Sequence, residues 1–154
     1  DAKKAFKLLG EEIEPVEVEG WKAWALSETL ATLERSERVP SVRLLPYFDP
    51  YVLSASKHSD YILDAAHKAK VYRAQGWISP VVLVNGRIEG VWEHSIKRGR
   101  VTVTITPFAK PGKTIKAGIE AEVARLGAFY EMESQVEFAH QAIKETRNVQ
   151  AGDD

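Results

Sequence analysis

The chain has 154 residues, 44% hydrophobic and 28% charged, with a net charge of -1 and no cysteine. That length supports one good core or two small subdomains, and the composition is that of an ordinary globular protein. Disulfides and thiolate metal sites are excluded, no apolar run approaches the roughly 20 residues that cross a bilayer, and near-neutrality argues against a wholly basic nucleic-acid binder. Nothing at the start resembles a signal peptide, and the lack of cysteine fits a reducing cytoplasm.

The opening "DAKKAFKLLG" reads as the back end of a helix, with Ala5, Leu8 and Leu9 on one side and Gly10 as its stop. No Met precedes it, so a longer parent protein is expected. "EIEPVEVEGWKAWAL" predicts two short strands around Glu19-Gly20, and Ser27 is the expected N-cap of a helix over "ETLATLERSER". Helix, hairpin and helix in that order fit the second half of a winged helix. A boundary is expected between Ser36 and Pro40.

"VRLLPYF" follows as a buried strand or extended segment, and Asp49 before Pro50 predicts a capped helix start. "YILDAAHKAKVYRAQG" reads as mostly helical, closed by Gly76. "WISPVVLV", the Asn85-Gly86 turn and "RIEGVWEH" form a hairpin, and "RVTVTIT" alternates Val101, Val103 and Ile105 against Thr102, Thr104 and Thr106. On this alternation Trp92 shares a face with Ile88, Gly90 and His94. These three strands make a meander that must be closed or covered to bury its apolar face. Ile115, Ile119, Val123, Leu126 and Tyr130 recur at helical spacing, "SQVEF" is a final strand, and the last residues are a frayed tail. The fold class expected is α+β. It comprises a partial winged helix over 1–38, then a small antiparallel β-barrel or curled sheet capped by a C-terminal helix over 39–140, and a tail over 141–154.

Charge is distributed unevenly. Between Gly86 and Lys116 the chain carries +5, leaving -6 elsewhere. Lys97, Arg98 and Arg100 crowd one turn, just beyond Trp92 and His94. Two readings of that turn stand side by side: a solubilising edge that blocks strand-to-strand aggregation, or a cationic tip for phosphates, narrow enough for a minor groove.

Other chemistry is sparse. His58, His67, His94 and His140 show no metal-ligand spacing, and no nucleophile elbow, phosphate-cradling loop or dinucleotide fingerprint occurs. Neither a metal nor a cofactor is expected. Asp49 is read as a cap rather than a catalytic carboxylate. Gln135 and Glu137 project from one strand face and could jointly hold a water, a pattern that solvent exposure explains equally. Trp21, Trp24, Trp77 and Trp92 could stack on bases, although most tryptophans are core or half-core residues.

"VRLLPYFDPYVL", "GWISPVVLVNGRIEGVW", "GRVTVTITPF" and "IEAEVARLGAFY" together resemble the C-terminal half of the winged helix DNA-binding domain-containing proteins, which include the AlkZ- and YcaQ-like DNA glycosylases. The resemblance runs from the partial winged helix to about Phe138. It implies tandem winged helices held by a β-barrel around double-stranded DNA, and excision of alkylated or crosslinked bases by hydrolysis of the N-glycosidic bond. The family's Gln-apolar-Gln or Gln-apolar-Asp motif lies in the N-terminal part. Gln135-Val136-Glu137 imitates its spacing at the wrong end, so no catalytic residue is expected here and this chain alone should be inactive. By the same resemblance the Trp92-to-Val101 hairpin probes the minor groove, with Lys97, Arg98 and Arg100 on phosphates and His94 at a groove edge. The partners implied are duplex DNA and the N-terminal part of the same polypeptide. The alternative is a non-catalytic winged-helix regulator or a protein-interaction scaffold.

Overall fold

A computed structural model describes residues 2–18, 20–36 and 40–139, the side chains of residues 2, 3, 57 and 58 excepted. His140, the tail over 141–154, residues 37–39 of the expected boundary and the His58 side chain lie outside the described residues. The chain divides into two compact units, Asp1–Val39 and Pro40–Asp154.

In the first unit, helix α1 (Ala2–Leu9) runs into a 3-10 turn at Gly10, whose φ of +50° glycine tolerates best. Strands β1 (Ile13–Val18) and β2 (Trp21–Leu26) pair antiparallel from Ile13–Leu26 to Val18–Trp21, and α2 (Ser27–Arg35) follows at once. The expected element order is present. Ser27, however, is not the cap: Leu26 occupies that position, and the Ser27 hydroxyl donates to the Glu11 carbonyl at 3.0 Å. Phe6 and Trp24 meet edge to face at 5.6 Å. None of the described side chains of this unit is buried, because two strands and two short helices enclose too little volume.

The second unit is built on one five-stranded sheet in the order β3 (Val42–Leu45), β4 (Val81–Val84), β5 (Arg87–Lys97), β6 (Arg100–Pro107), β7 (Glu133–Phe138). The meander β4–β5–β6 forms as expected, its first turn made by Asn85 and Gly86, both at positive φ. The barrel does not. The sheet is open, with β3 and β7 as its edges, and it is mixed rather than antiparallel, since β7 runs parallel to β6. A parallel neighbour needs a crossover, and α5 (Lys113–Phe129) supplies it by lying across one face. Closure is unnecessary because α5 covers one face and the segment between β3 and β4 covers the apolar part of the other.

Val82, Val84, Trp92, Val101, Val103 and Ile105 pack with Ile119 and Val123 of α5. On the other side Val81 and Ile88 pack with Val52, Leu63, Val71, Ile78 and Phe108. A strand buried on both sides explains the unbroken apolar run Val81–Val84. Between β4 and β5 the register shifts: Leu83 pairs with Ile88 but Val82 with Gly90, so Glu89 is an extra residue. The bulge sends Ile88 to one core and Trp92 to the other, overturning the shared face expected from simple alternation.

The segment linking β3 to β4 is also broken up. Helix α3 (Pro50–Ser54) starts as expected, the Asp49 carboxylate accepting from the Tyr51 amide at 2.9 Å. The helix expected over 61–76 is instead a series of 3-10 turns around α4 (Lys68–Val71). Asp64 restarts the chain by accepting from the Ala66 amide at 2.8 Å, Tyr72 is extended and bridges to Ile78, and Gln75 is left-handed. Among the described residues no helix is long and apolar enough to cross a membrane.

Edge strand β3 is blocked by side chains. The Leu44 amide donates to Glu122 of α5 at 3.3 Å, and the Val42 carbonyl accepts from the Arg43 guanidinium at 2.7 Å. Groups that could template another strand are thereby occupied.

Candidate nucleic-acid interface

Strands β5 and β6 pair up to Lys97–Arg100, leaving Arg98 and Gly99 as a two-residue turn. Both have positive φ, 51° and 74°, as a turn that follows the right-handed twist of a hairpin requires. β4 pairs with β5 only as far as Val91, so from Glu93 to Lys97 β5 has β6 as its one strand neighbour, and all five residues are exposed. β6 is braced by β7 along its length, Arg100 facing Glu133. The cationic turn is therefore the corner of a braced sheet rather than a finger free on both sides.

Cross-strand partners share a face, so the side of the sheet away from α5 carries three polar rows. They are Lys97, Arg100 and Glu133; Ser95, Thr102 and Gln135; Glu93, Thr104 and Glu137. Arg100 is ion-paired with Glu133 at 2.7 Å, both side chains more than half exposed. Lys97 and Arg98 carry no ion pair among the described residues. Positive charge is concentrated at the tip, because Glu93 and Glu137 lie toward the base.

His94 is placed differently from the cations. On the α5 side of the sheet its ring lies 5.8 Å from Trp92 and 5.9 Å from Tyr130. Along the strand it is about 13 Å from Arg98. Trp92 itself is buried and anchors the strand behind the tip.

The remaining candidates are occupied elsewhere. Gln135 and Glu137 do share a face, but the Gln135 amide donates to Thr102 at 3.0 Å and to Glu137 at 3.3 Å. Asp49 serves its helix. His67 stacks on Phe108 at 4.1 Å, and among the described residues no group of three His, Asp or Glu could hold a metal. Glu133 and Tyr130, which touch Arg100 and His94, were not legible as partners. Each lies some thirty residues along the chain, and only the crossover through α5 brings them back.

The chain matches the family described as DNA glycosylase AlkZ-like over residues 1–129. It is 36% identical over 124 residues to an interstrand DNA cross-link repair glycosylase of Streptomyces sahachiroi, a match covering 80% of this chain and 32% of that protein. Its fold is similar to that of Streptomyces sahachiroi DNA glycosylase AlkZ, with a TM-score of 0.74 and 33% identity, over 89% of this chain and 36% of that one. The chain thus spans about a third of the length of the relatives it matches.

Proposed function

Because the chain belongs to the AlkZ-like DNA glycosylase family, we propose that it is the DNA-binding part of a repair glycosylase and that its β5–β6 turn contacts the backbone of double-stranded DNA. The observation that carries this reading is the pair Lys97 and Arg98, exposed at a sheet corner and without an ion pair among the described residues. Arg100 joins them when it exchanges Glu133 for a phosphate. The pairing it gives up is weak, since an exposed ion pair contributes about 0–1 kcal/mol. His94 supports the strand from the α5 side and reaches a groove edge only when the tip is seated.

In this reading the first unit is part of a winged helix. The whole protein hydrolyses the N-glycosidic bond of alkylated or crosslinked bases, and the residues that position water lie in the remainder of the polypeptide. Gln135 is not one of them, its amide being committed to Thr102 and Glu137. The test is a salt titration of duplex binding by the chain and by its Lys97→Ala, Arg98→Ala, Arg100→Ala triple variant. Each lost phosphate contact lowers the slope of log K against log salt by about 0.9, so the triple variant should lose up to about 3. An unchanged slope removes the turn from the interface.

A further inference from the structure

A second exposed cluster is made by residues outside the β5–β6 hairpin. Tyr47, Phe48 and Trp77 are 49%, 43% and 51% exposed, yet form one group of rings. Trp77 meets Tyr47 edge-on at 6.2 Å and Phe48 at 5.3 Å. The backbone presenting them is strained at two non-glycine residues, Phe48 with φ 56° and Gln75 with φ 62°. Left-handed backbone costs a bulky residue about 1–2 kcal/mol. Burial of the Phe48 ring does not offset it, since the ring is nearly half open to water.

The platform is nonetheless fixed. The Arg73 amide donates to the Trp77 carbonyl at 2.8 Å, and Tyr72 bridges to Ile78 just behind. Val71 and Ile78 are buried, and the Tyr72 hydroxyl donates to the Val52 carbonyl at 2.9 Å. Arg73 and Trp77 are thus held side by side on a tight loop rooted in the core. Between them lies an open cavity of about 490 Å³, lined by Tyr47, Arg73, Ala74, Gln75 and Trp77. Its lining has one cation and no acid, and Arg73 carries no ion pair among the described residues.

Exposed aromatic faces beside an uncompensated guanidinium suit a ligand with a π-face and an anionic group. We infer that Trp77, Tyr47 and Arg73 take an unpaired nucleotide, its base on the rings and its phosphate on Arg73. A proline-rich peptide also docks on aromatic grooves, but it has no use for the cation. The inference rests on the reading of the chain as a DNA binder and adds a site that recognises a base lacking its partner. Among the described residues, Trp77 combines exposure with an adjacent arginine that carries no ion pair, both in one cavity.

The test uses the 154-residue chain with three probes: decathymidylate, a perfect duplex and decaproline. Decathymidylate is expected to quench tryptophan fluorescence. Trp77→Ala should weaken its binding by about tenfold or more, the scale of one base–aromatic stack, and leave duplex affinity within about twofold. Arg73→Ala should lower the salt slope for the single strand by about 0.7, the value for one phosphate. Circular dichroism and the melting midpoint of each variant show whether it folds, and a folded Arg73→Ala alone suffices to decide. Duplex binding with no Trp77-dependent single-strand binding overturns this inference and leaves the proposed function standing. Trp77-dependent single-strand binding without duplex binding does the reverse. Binding of decaproline that Trp77→Ala abolishes, with decathymidylate inert, makes the patch a peptide site and also overturns the inference.

Discussion

Arg100 and Glu133 hold each other at 2.7 Å across the parallel pairing of β6 and β7, the only ion pair that any residue of the cationic turn makes among the described residues. Both side chains lie in water, at 52% and 77% exposure, so the pair is a weak latch rather than a structural strut. It sets how much of the turn's charge is available to an anion.

Glu133→Gln releases that latch. The expected outcome is a change in folding stability below about 1 kcal/mol and a severalfold gain in duplex affinity at low salt, fading as salt is raised. Urea denaturation and a salt series of binding isotherms check the two halves. A loss of affinity would show that Arg100 does not face the nucleic acid.

Arg98 occupies a turn position that asks for positive φ, where Asn is the better residue. Arg98→Asn is expected to stabilise the fold by about 0.5–1 kcal/mol and raise the melting midpoint by a few degrees. The same change removes a cation and should weaken duplex binding. Stability and affinity moving in opposite directions in one variant separates contact with DNA from damage to the hairpin.

Gly90 is needed for space. A Cβ there would lie 2.9 Å from the Thr106 carbonyl oxygen and 3.0 Å from the Pro107 Cα, both main-chain atoms that cannot swing aside. Gly90→Ala should destabilise by about 2–3 kcal/mol, read from the denaturant midpoint. It sits beside the Glu89 bulge, so strand pairing near Val82 should be the first to lose amide protection.

Burial holds the Tyr72 hydroxyl above the usual tyrosine value of 10.0, favouring its neutral form in the folded protein. The unfolded chain therefore loses this proton first. The contribution is intact below pH 10 and is lost as pH rises from there through the folded value. Stability should fall in that alkaline window, and Tyr72→Phe should flatten this part of the profile. At neutral pH the variant should cost about 1 kcal/mol for the lost bond to the Val52 carbonyl.

Much of the fold was readable where local chemistry is decisive. Strict Val–Thr alternation declared β6, Asn85-Gly86 declared a hairpin, Asp49-Pro50 declared a helix start, and the Ile115-to-Tyr130 spacing declared α5 and the face it packs. Failures came where neighbours in space outvoted neighbours in sequence. The helix expected over 61–76 broke because Asp64 caps a fresh turn at the Ala66 amide and Tyr72 turns extended to bridge Ile78, so the chain doubles back instead of running on. The shared face of Ile88 and Trp92 failed because one extra residue, Glu89, inverts the alternation beyond it. The barrel failed because α5 returns the chain to run beside β6 in the same direction.

The candidate site divides along the same line. The amino-acid order by itself determined that Lys97, Arg98 and Arg100 gather at one tight turn between two strands, because a strand's alternation and a turn's need for positive φ are properties of a few consecutive residues. Tertiary structure alone decided that Glu133 pairs with Arg100, that His94 lies toward Tyr130 and that Trp77 stands open beside Tyr47 while Trp92 is buried. Those relations join residues from different elements, and which of them meet is set by how the two faces of one sheet are covered.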